Sequence, residues 1–127
     1  MSMHIDHFGG SCQVGDAASL AATLAQRYGK DANEFWMGEH AGEYPCLALL
    51  VRGARASVHY FAESGHPGWW SRGVSESDAL VEFFGQTPTA IQEIPEYAVV
   101  TLEEGLAAAS EFFATGTMPT CIPWEEL

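Results

Sequence analysis

Residues Tyr44 to Arg52 read Y-P-C-L-A-L-L-V-R, a nearly continuous apolar run, and no other stretch restricts the fold of this chain as strongly. A run of this length, apolar at successive positions, suits a strand buried on both faces. Gly53-Ala54 follows, and then Arg55 to Phe61, in which Ala56, Val58 and Tyr60 alternate with Ser57, His59 and Phe61. Glycine at the first of two loop positions favours a type II′ turn, so the pair of runs predicts an antiparallel hairpin.

Other elements are placed around that hairpin. Met3 to Phe8 alternates and stops at Gly9-Gly10, which predicts a short first strand followed by a loop. From Asp16, a candidate N-cap, Leu20, Leu24 and Tyr28 recur at four-residue spacing up to a C′ stop at Gly29, the pattern of an amphipathic helix. Glu34 to Gly38 is aromatic and strand-like. The turn-forming Glu63 to Gly68 leads to a strand at Trp69-Trp70 that ends at Gly73, and Ala79 to Phe84 is expected to form another. Gln86 to Glu96 contains two prolines and is expected to be mostly loop, with an extended piece before Val99-Val100. Thr101-Leu102-Glu103-Glu104 has the form of a capping box, and Leu102, Leu106, Ala109 and Phe113 then mark one face of a second helix that Gly116 and Pro119 terminate. The tail, Thr120 to Leu127, carries Trp124 and Leu127 and is expected to dock on the body. The fold class is therefore α+β: one domain over residues 1–127, a largely antiparallel sheet of about six short strands with two main helices packed on it. In this reading Trp36 and Trp124 are structural.

Charge narrows the possible partners. Seventeen acidic residues face five basic ones, a formal charge of −12. Such a surface repels nucleic acid and anionic membrane and attracts a basic protein, whose encounter it steers; the same charge also serves solubility. Arg72 is the last base, and ten of the seventeen acids lie beyond it. The first ten residues contain no Lys or Arg and no apolar signal core, and no window is apolar enough to span a bilayer, so the chain is expected to be cytoplasmic. Cys12, Cys46 and Cys121 are odd in number and widely spaced, which fits reduced thiols, with Cys46 a buried, inert one.

Motifs for catalysis are missing. His4-x-x-His7 with Cys12 lacks the second ligand pair of a zinc site. His40-Ala-Gly-Glu43-Tyr-Pro45-Cys46 lacks the Glu spacing and the second cysteine of a zinc deaminase. The chain contains no nucleophile elbow, P-loop or dinucleotide fingerprint. No catalytic, metal or cofactor residue is assigned, and no cofactor is expected. Adjacent carboxylates such as Glu103-Glu104 and Glu125-Glu126 read as solvated charge.

What remains suits recognition. Trp69-Trp70 beside Arg72, after Tyr60-Phe61, supplies the residue types that dominate binding hot spots, and two tryptophans adjacent on a strand point to opposite faces. Further along, Trp70-Ser71-Arg72-Gly73, Phe83-Phe84-Gly85, Ala109-Ser110-Glu111-Phe112-Phe113-Ala114-Thr115-Gly116, Met118-Pro119 and Trp124-Glu125-Glu126-Leu127 follow in order. In these segments, from Trp69 to Leu127, the chain resembles the family numbered one among the immunity proteins of bacterial polymorphic-toxin systems. The resemblance implies an antitoxin that binds a secreted toxin domain and covers its active site, the toxin being a basic enzyme acting on nucleic acid, such as a deaminase or a nuclease. A monomer in a 1:1 complex is expected. Glu63, Trp69, Trp70, Arg72, Glu76 and Asp78 are the candidate toxin-binding residues, because aromatics and acids meet there. An acidic adaptor or regulatory subunit of a larger complex is the alternative, and a small enzyme using His40, Glu43 or the N-terminal histidines is a further one.

Overall fold

A computed structural model of the chain describes residues 2–127. Ten strands and two helices are present among the described residues: β1 (Met3–His7), β2 (Gly10–Val14), α1 (Ala17–Leu24), β3 (Ala32–Gly38), β4 (Cys46–Arg52), β5 (Arg55–Phe61), β6 (Trp69–Ser71), β7 (Leu80–Phe84), β8 (Ile91–Pro95), β9 (Val100–Thr101), α2 (Leu102–Thr115) and β10 (Trp124–Glu126). The main sheet runs β10-β6-β5-β4-β3-β1-β2, with β9 added beside β5, and every pairing in it is antiparallel. The apolar run becomes β4, the central strand, with Leu47 to Val51 buried on both faces. It pairs with β5 from Cys46↔Phe61 to Arg52↔Arg55, so Gly53-Ala54 is a two-residue loop. Gly53 takes φ +58° while Ala54 keeps a negative φ, the sign pattern of the type II′ turn.

The sheet separates two layers. On one face both helices cover Ile5, Phe35, Leu47, Leu49, Val58 and Tyr60, with Leu20, Leu24, Ala108, Ala109 and Phe112 supplied by the helices. Thr101 caps α2 by accepting from Glu104 N at 3.1 Å while the Glu104 carboxylate accepts from Thr101 N at 3.0 Å, and Gly116 closes the helix in the left-handed region at φ +69°. Gly105 lets α2 lie close on the sheet: a β-carbon there would fall 2.6 Å from Ala56 Cβ. On the other face the β7–β8 ribbon lies over part of the sheet, packing Phe83 and Ile94 on Leu50 and Ala98.

Several expectations are corrected. Helix α1 stops at Ala25 and not at Gly29: the chain instead pairs Tyr28 with Ala32 through two backbone hydrogen bonds, and the Arg27 guanidinium donates to Leu24 O at 2.7 Å. Tyr28 therefore lies off the helix. The segment expected to loop after Gly9-Gly10 is the edge strand β2, whose G-S-C-Q-V sequence carries little apolar signal because it is mostly exposed. Within Gln86 to Glu96, Ile91 to Pro95 forms β8, paired residue for residue with β7. Pro95 is tolerated at its terminus, because a two-stranded ribbon leaves one side of each strand free of ladder bonds. The tail docks as expected, and does so as an additional strand, β10, along β6. Trp124 packs against the core and donates its Nε1–H to Pro119 O at 2.7 Å. No helix of the described residues is long and apolar enough to cross a membrane.

Candidate interaction face

The register of the main sheet sets one row of side chains. Directly paired residues of antiparallel strands share a face. Following the pairs across the sheet gives Ser11, Asp6, Trp36, Ala48, His59, Trp70 and Glu125, one residue from each of seven strands. The row lies on the face opposite the helices. Its centre is Ala48, the smallest side chain, so the sheet floor is low there while Trp36 rises on one side and His59 and Trp70 on the other.

Neighbouring rows complete the site. Phe61, two residues beyond His59, stacks on Trp36 with ring centroids 5.7 Å apart, and lies 4.0 Å from the His59 ring. Trp70 sits 6.1 Å from His59 and makes an edge-on contact with Tyr97 at 6.0 Å. Glu34, two residues before Trp36, is only 6% exposed. Its carboxylate Oε1 accepts from Gln86 N at 2.9 Å. Gly85 makes room for this carboxylate, because a β-carbon at that position would lie 3.1 Å from Glu34 Oε2.

Trp36 is 40% exposed, and it forms a shared wall of three adjoining depressions. One, of about 240 Å³, lies between Trp36 and Trp70 over Ala48, with Glu34, His59 and Glu93 around it. Another, of about 120 Å³, is bounded by Asp6, His40, Glu43, Tyr44 and Cys46. A third lies toward Asp6, Phe8 and Gln86. Tyr44 is 48% exposed, so two of the large exposed apolar side chains of the molecule meet at this face. Both line the same depression, which makes this face a candidate for receiving another molecule.

The charge around this face has one sign. Asp6, Glu34, Glu43 and Glu93 line the three depressions, and no Lys or Arg does. Lys30, Arg52 and Arg55 instead gather at the β4–β5 turn, where Arg52 meets Glu82 at 2.8 Å. Burial lowers the pKa of His59, which keeps the imidazole neutral at pH 7. Hydrogen bonds from Ser11 and from His4 hold Asp6 below the ordinary carboxylate range, so it stays negative. The acids of this face come from both halves of the chain, so the negative surface is not the property of the part beyond Arg72.

The residues expected from sequence to bind are divided by the structure. Trp70 joins the row. Trp69 points to the helix side, against Tyr60 and in a stack with His66 at 4.5 Å. Arg72 is held by Glu76 at 2.9 Å and lies over the Tyr97 ring at 4.7 Å. Glu63 is exposed in the turn between β5 and β6, and Glu76 and Asp78 are exposed in the link from β6 to β7. Glu34, Trp36, His59 and Phe61 lie outside that set, and Trp36, expected to be structural, both stacks on Phe61 and keeps 40% of its surface exposed. Counting the hairpin register from Gly53-Ala54 places His59 opposite Ala48; only the β3–β4 pairing, which no local motif announces, brings Trp36 beside them.

Candidate chemistry elsewhere does not converge. His7 and Cys12 lie on the helix side of the sheet, near Phe35 and Thr23, while His4 lies on the other side against Asp6 at 3.0 Å. Among the described residues no group of three or more His, Cys, Asp or Glu is placed to hold a metal ion. His40 and Glu43 border the same depression as His4 and Cys46, yet they are joined only through the backbone, Glu43 N to His40 O at 3.2 Å. Burial raises the pKa of the Cys46 thiol, which disfavours the nucleophilic thiolate. Cys46 is half-buried rather than fully enclosed.

Two comparisons relate the chain to known proteins. The family model described as Immunity protein Imm1 matches residues 13–126. The chain is also similar to a protein named double-stranded DNA deaminase immunity protein from Burkholderia cenocepacia (strain H111), with 29% identity over 125 residues that cover 98% of this chain and 100% of the relative.

Proposed function

Because the chain belongs to the Imm1 family of immunity proteins, we propose that it is the antitoxin of a deaminase that acts on double-stranded DNA, and that it silences that enzyme by seating the Trp36 row over its active site. The observation that carries this reading is the row itself: aromatic side chains at the centre, four acids around them and no cation among the lining residues. An enzyme that handles DNA presents a basic cleft, because neutralising phosphates supplies much of its affinity. A protein of charge −12 is drawn to such a cleft, and an aromatic centre within an acidic surround is suited to hold it there. The name of the Burkholderia relative supports the choice of deaminase.

In this reading the whole chain acts as one domain and as a monomer in a 1:1 complex in the cytoplasm, by occupancy and not by turnover. The contact extends from the row to Tyr44 and Glu43 on one side, and toward Glu63 at the end of β5. A stable complex of this type buries about 1,600 Å² in total. Glu63, Trp70, Arg72, Glu76 and Asp78 belong to its rim or centre in the proposal, whereas Trp69 acts through the core.

The test uses a toxin domain of the class proposed, a deaminase acting on double-stranded DNA, from the organism that carries this chain. Deamination of a double-stranded DNA substrate is followed while the purified chain is added at low salt. Activity is expected to fall in proportion to added protein and to vanish at one equivalent. Full activity at a several-fold excess, with no complex on a sizing column, rejects the proposal.

A further inference from the structure

The cleft between Trp36 and Trp70 has a chemistry of its own. On its floor lies Glu34, a residue only 6% exposed whose carboxylate forms no ion pair among the described residues, so its charge is available to a cation that enters the cleft. Oε1 is occupied by Gln86 N, and Oε2 takes no hydrogen bond from any described residue. Trp70 Nε1–H is buried without an acceptor. Glu93 brings a second carboxylate to the same cleft. The walls are the Trp36, His59 and Trp70 rings, and the space of about 240 Å³ is several times the ~30 Å³ share of one water.

We infer that this cleft is a receptor for one arginine side chain of the toxin, with the guanidinium stacked against the Trp36 ring and donating to Glu34 and Glu93. The inference rests on the reading of this face as the toxin-binding one, and it names what the partner inserts. A guanidinium is planar, stacks on aromatic faces, is weakly hydrated and carries five donors, so it can donate to two carboxylates while one face lies on a ring. A lysine ammonium is a compact, strongly hydrated point charge that gains less from a stack of rings. The arrangement also separates this cleft from the rest of the acidic surface. Exposed carboxylates attract cations without selecting among them, whereas a buried carboxylate between rings selects by shape.

A probe without the toxin tests this separately from the antitoxin reading. N-acetyl-arginine-N-methylamide is titrated into the ¹⁵N-labelled protein, and the indole N–H signals of Trp36 and Trp70 are followed beside those of Trp69 and Trp124. Saturable shifts in the millimolar range at Trp36 and Trp70 alone are expected. The citrulline analogue, neutral and nearly the same shape, should produce no saturable shift. Glu34→Gln keeps the acceptor for Gln86 N and should abolish the arginine response; Glu93→Gln, at a position with less burial, should weaken it several-fold. The spectrum of each variant reports directly whether it is folded. No saturable shift with arginine, equal shifts with citrulline, or equal shifts when N-acetyl-lysine-N-methylamide is titrated in the same way each overturn the inference. Inhibition of the toxin by the wild-type chain would stand under all three results, and loss of that inhibition would leave the probe titration readable.

Discussion

Replacing Trp36 by alanine isolates the largest single contribution of the proposed face. A tryptophan side chain presents on the order of 250 Å² when fully accessible. With 40% of it exposed, about 100 Å² remains for a partner to cover. At about 25 cal/mol per Å² that area contributes roughly 2.5 kcal/mol, which corresponds to about a 70-fold change in Kd. The part of Trp36 already covered, including its stack on Phe61, belongs to stability instead, so Trp36→Ala also lowers the unfolding midpoint. The two effects are separated by measuring Kd calorimetrically at a temperature where the variant is fully folded, with urea unfolding run in parallel. Trp36→Phe retains a ring and should lose only part of the affinity. A Kd within twofold of wild type for folded Trp36→Ala refutes the assignment of this face, because no hot spot of that exposure could then lie at its centre.

Other consequences can be checked on the free protein or with salt. Gly105→Val drives a branched side chain into Ala56 and Leu49 and should lower the unfolding free energy in urea by at least about 2 kcal/mol; an unchanged midpoint would contradict the close seating of α2. Thr101→Ala removes one half of the capping box and should cost about 1 kcal/mol by the same assay, a cost that Thr101→Ser largely restores. The folded-state pKa of His59 lies below its unfolded value of about 6.5, so below that pH the unfolded chain binds more protons and stability falls as pH drops toward the folded pKa. His59→Gln should flatten the part of the stability profile just below pH 6.5, and Asp6, also lowered, should weaken the fold only at pH values below the ordinary carboxylate range. Association with the toxin should slow markedly between 50 and 300 mM salt through the on-rate, whereas an on-rate independent of salt would reduce the charge of −12 to a solubility device.

The parts of the fold that were legible in the sequence are those whose signals are local. The β4–β5 hairpin is written in a buried run, a glycine turn and an alternation, and the α2 capping box in Thr101 and Glu104, so each element declares itself without its neighbours. Strands β2, β8 and β10 are stabilised mainly by the partner strand beside them, and their own residues are polar or interrupted by proline. The end of α1 was misread for a related reason. Tyr28 continues the four-residue spacing, but its backbone is claimed by the turn to Ala32.

The interaction face was legible in kind and only partly in place. Charge, missing catalytic sets and the family-like segments all pointed to a protein partner. Trp70 was identified from its neighbourhood to Trp69 and Arg72, and alternation correctly sent the two tryptophans to opposite sides of the sheet. Trp36, His59 and Glu34 come together only through strand order, β3 beside β4 and β4 beside β5, a long-range property that residue spacing does not encode. The same topology carries Asp6 and Glu34, from the half of the chain that holds all the bases, to the acidic face.

Hydroxyl-radical footprinting of the complex tests the central claim most directly, because it reads the solvent access of individual side chains. With the toxin bound, oxidation of Trp36, Tyr44 and Phe61 should fall several-fold, while Leu102, Leu106 and Phe113, partly exposed on the helix side of the sheet, should react as in the free protein. Undiminished oxidation of Trp36 and Tyr44 in a complex that still inhibits the toxin would place the contact elsewhere and contradict the account.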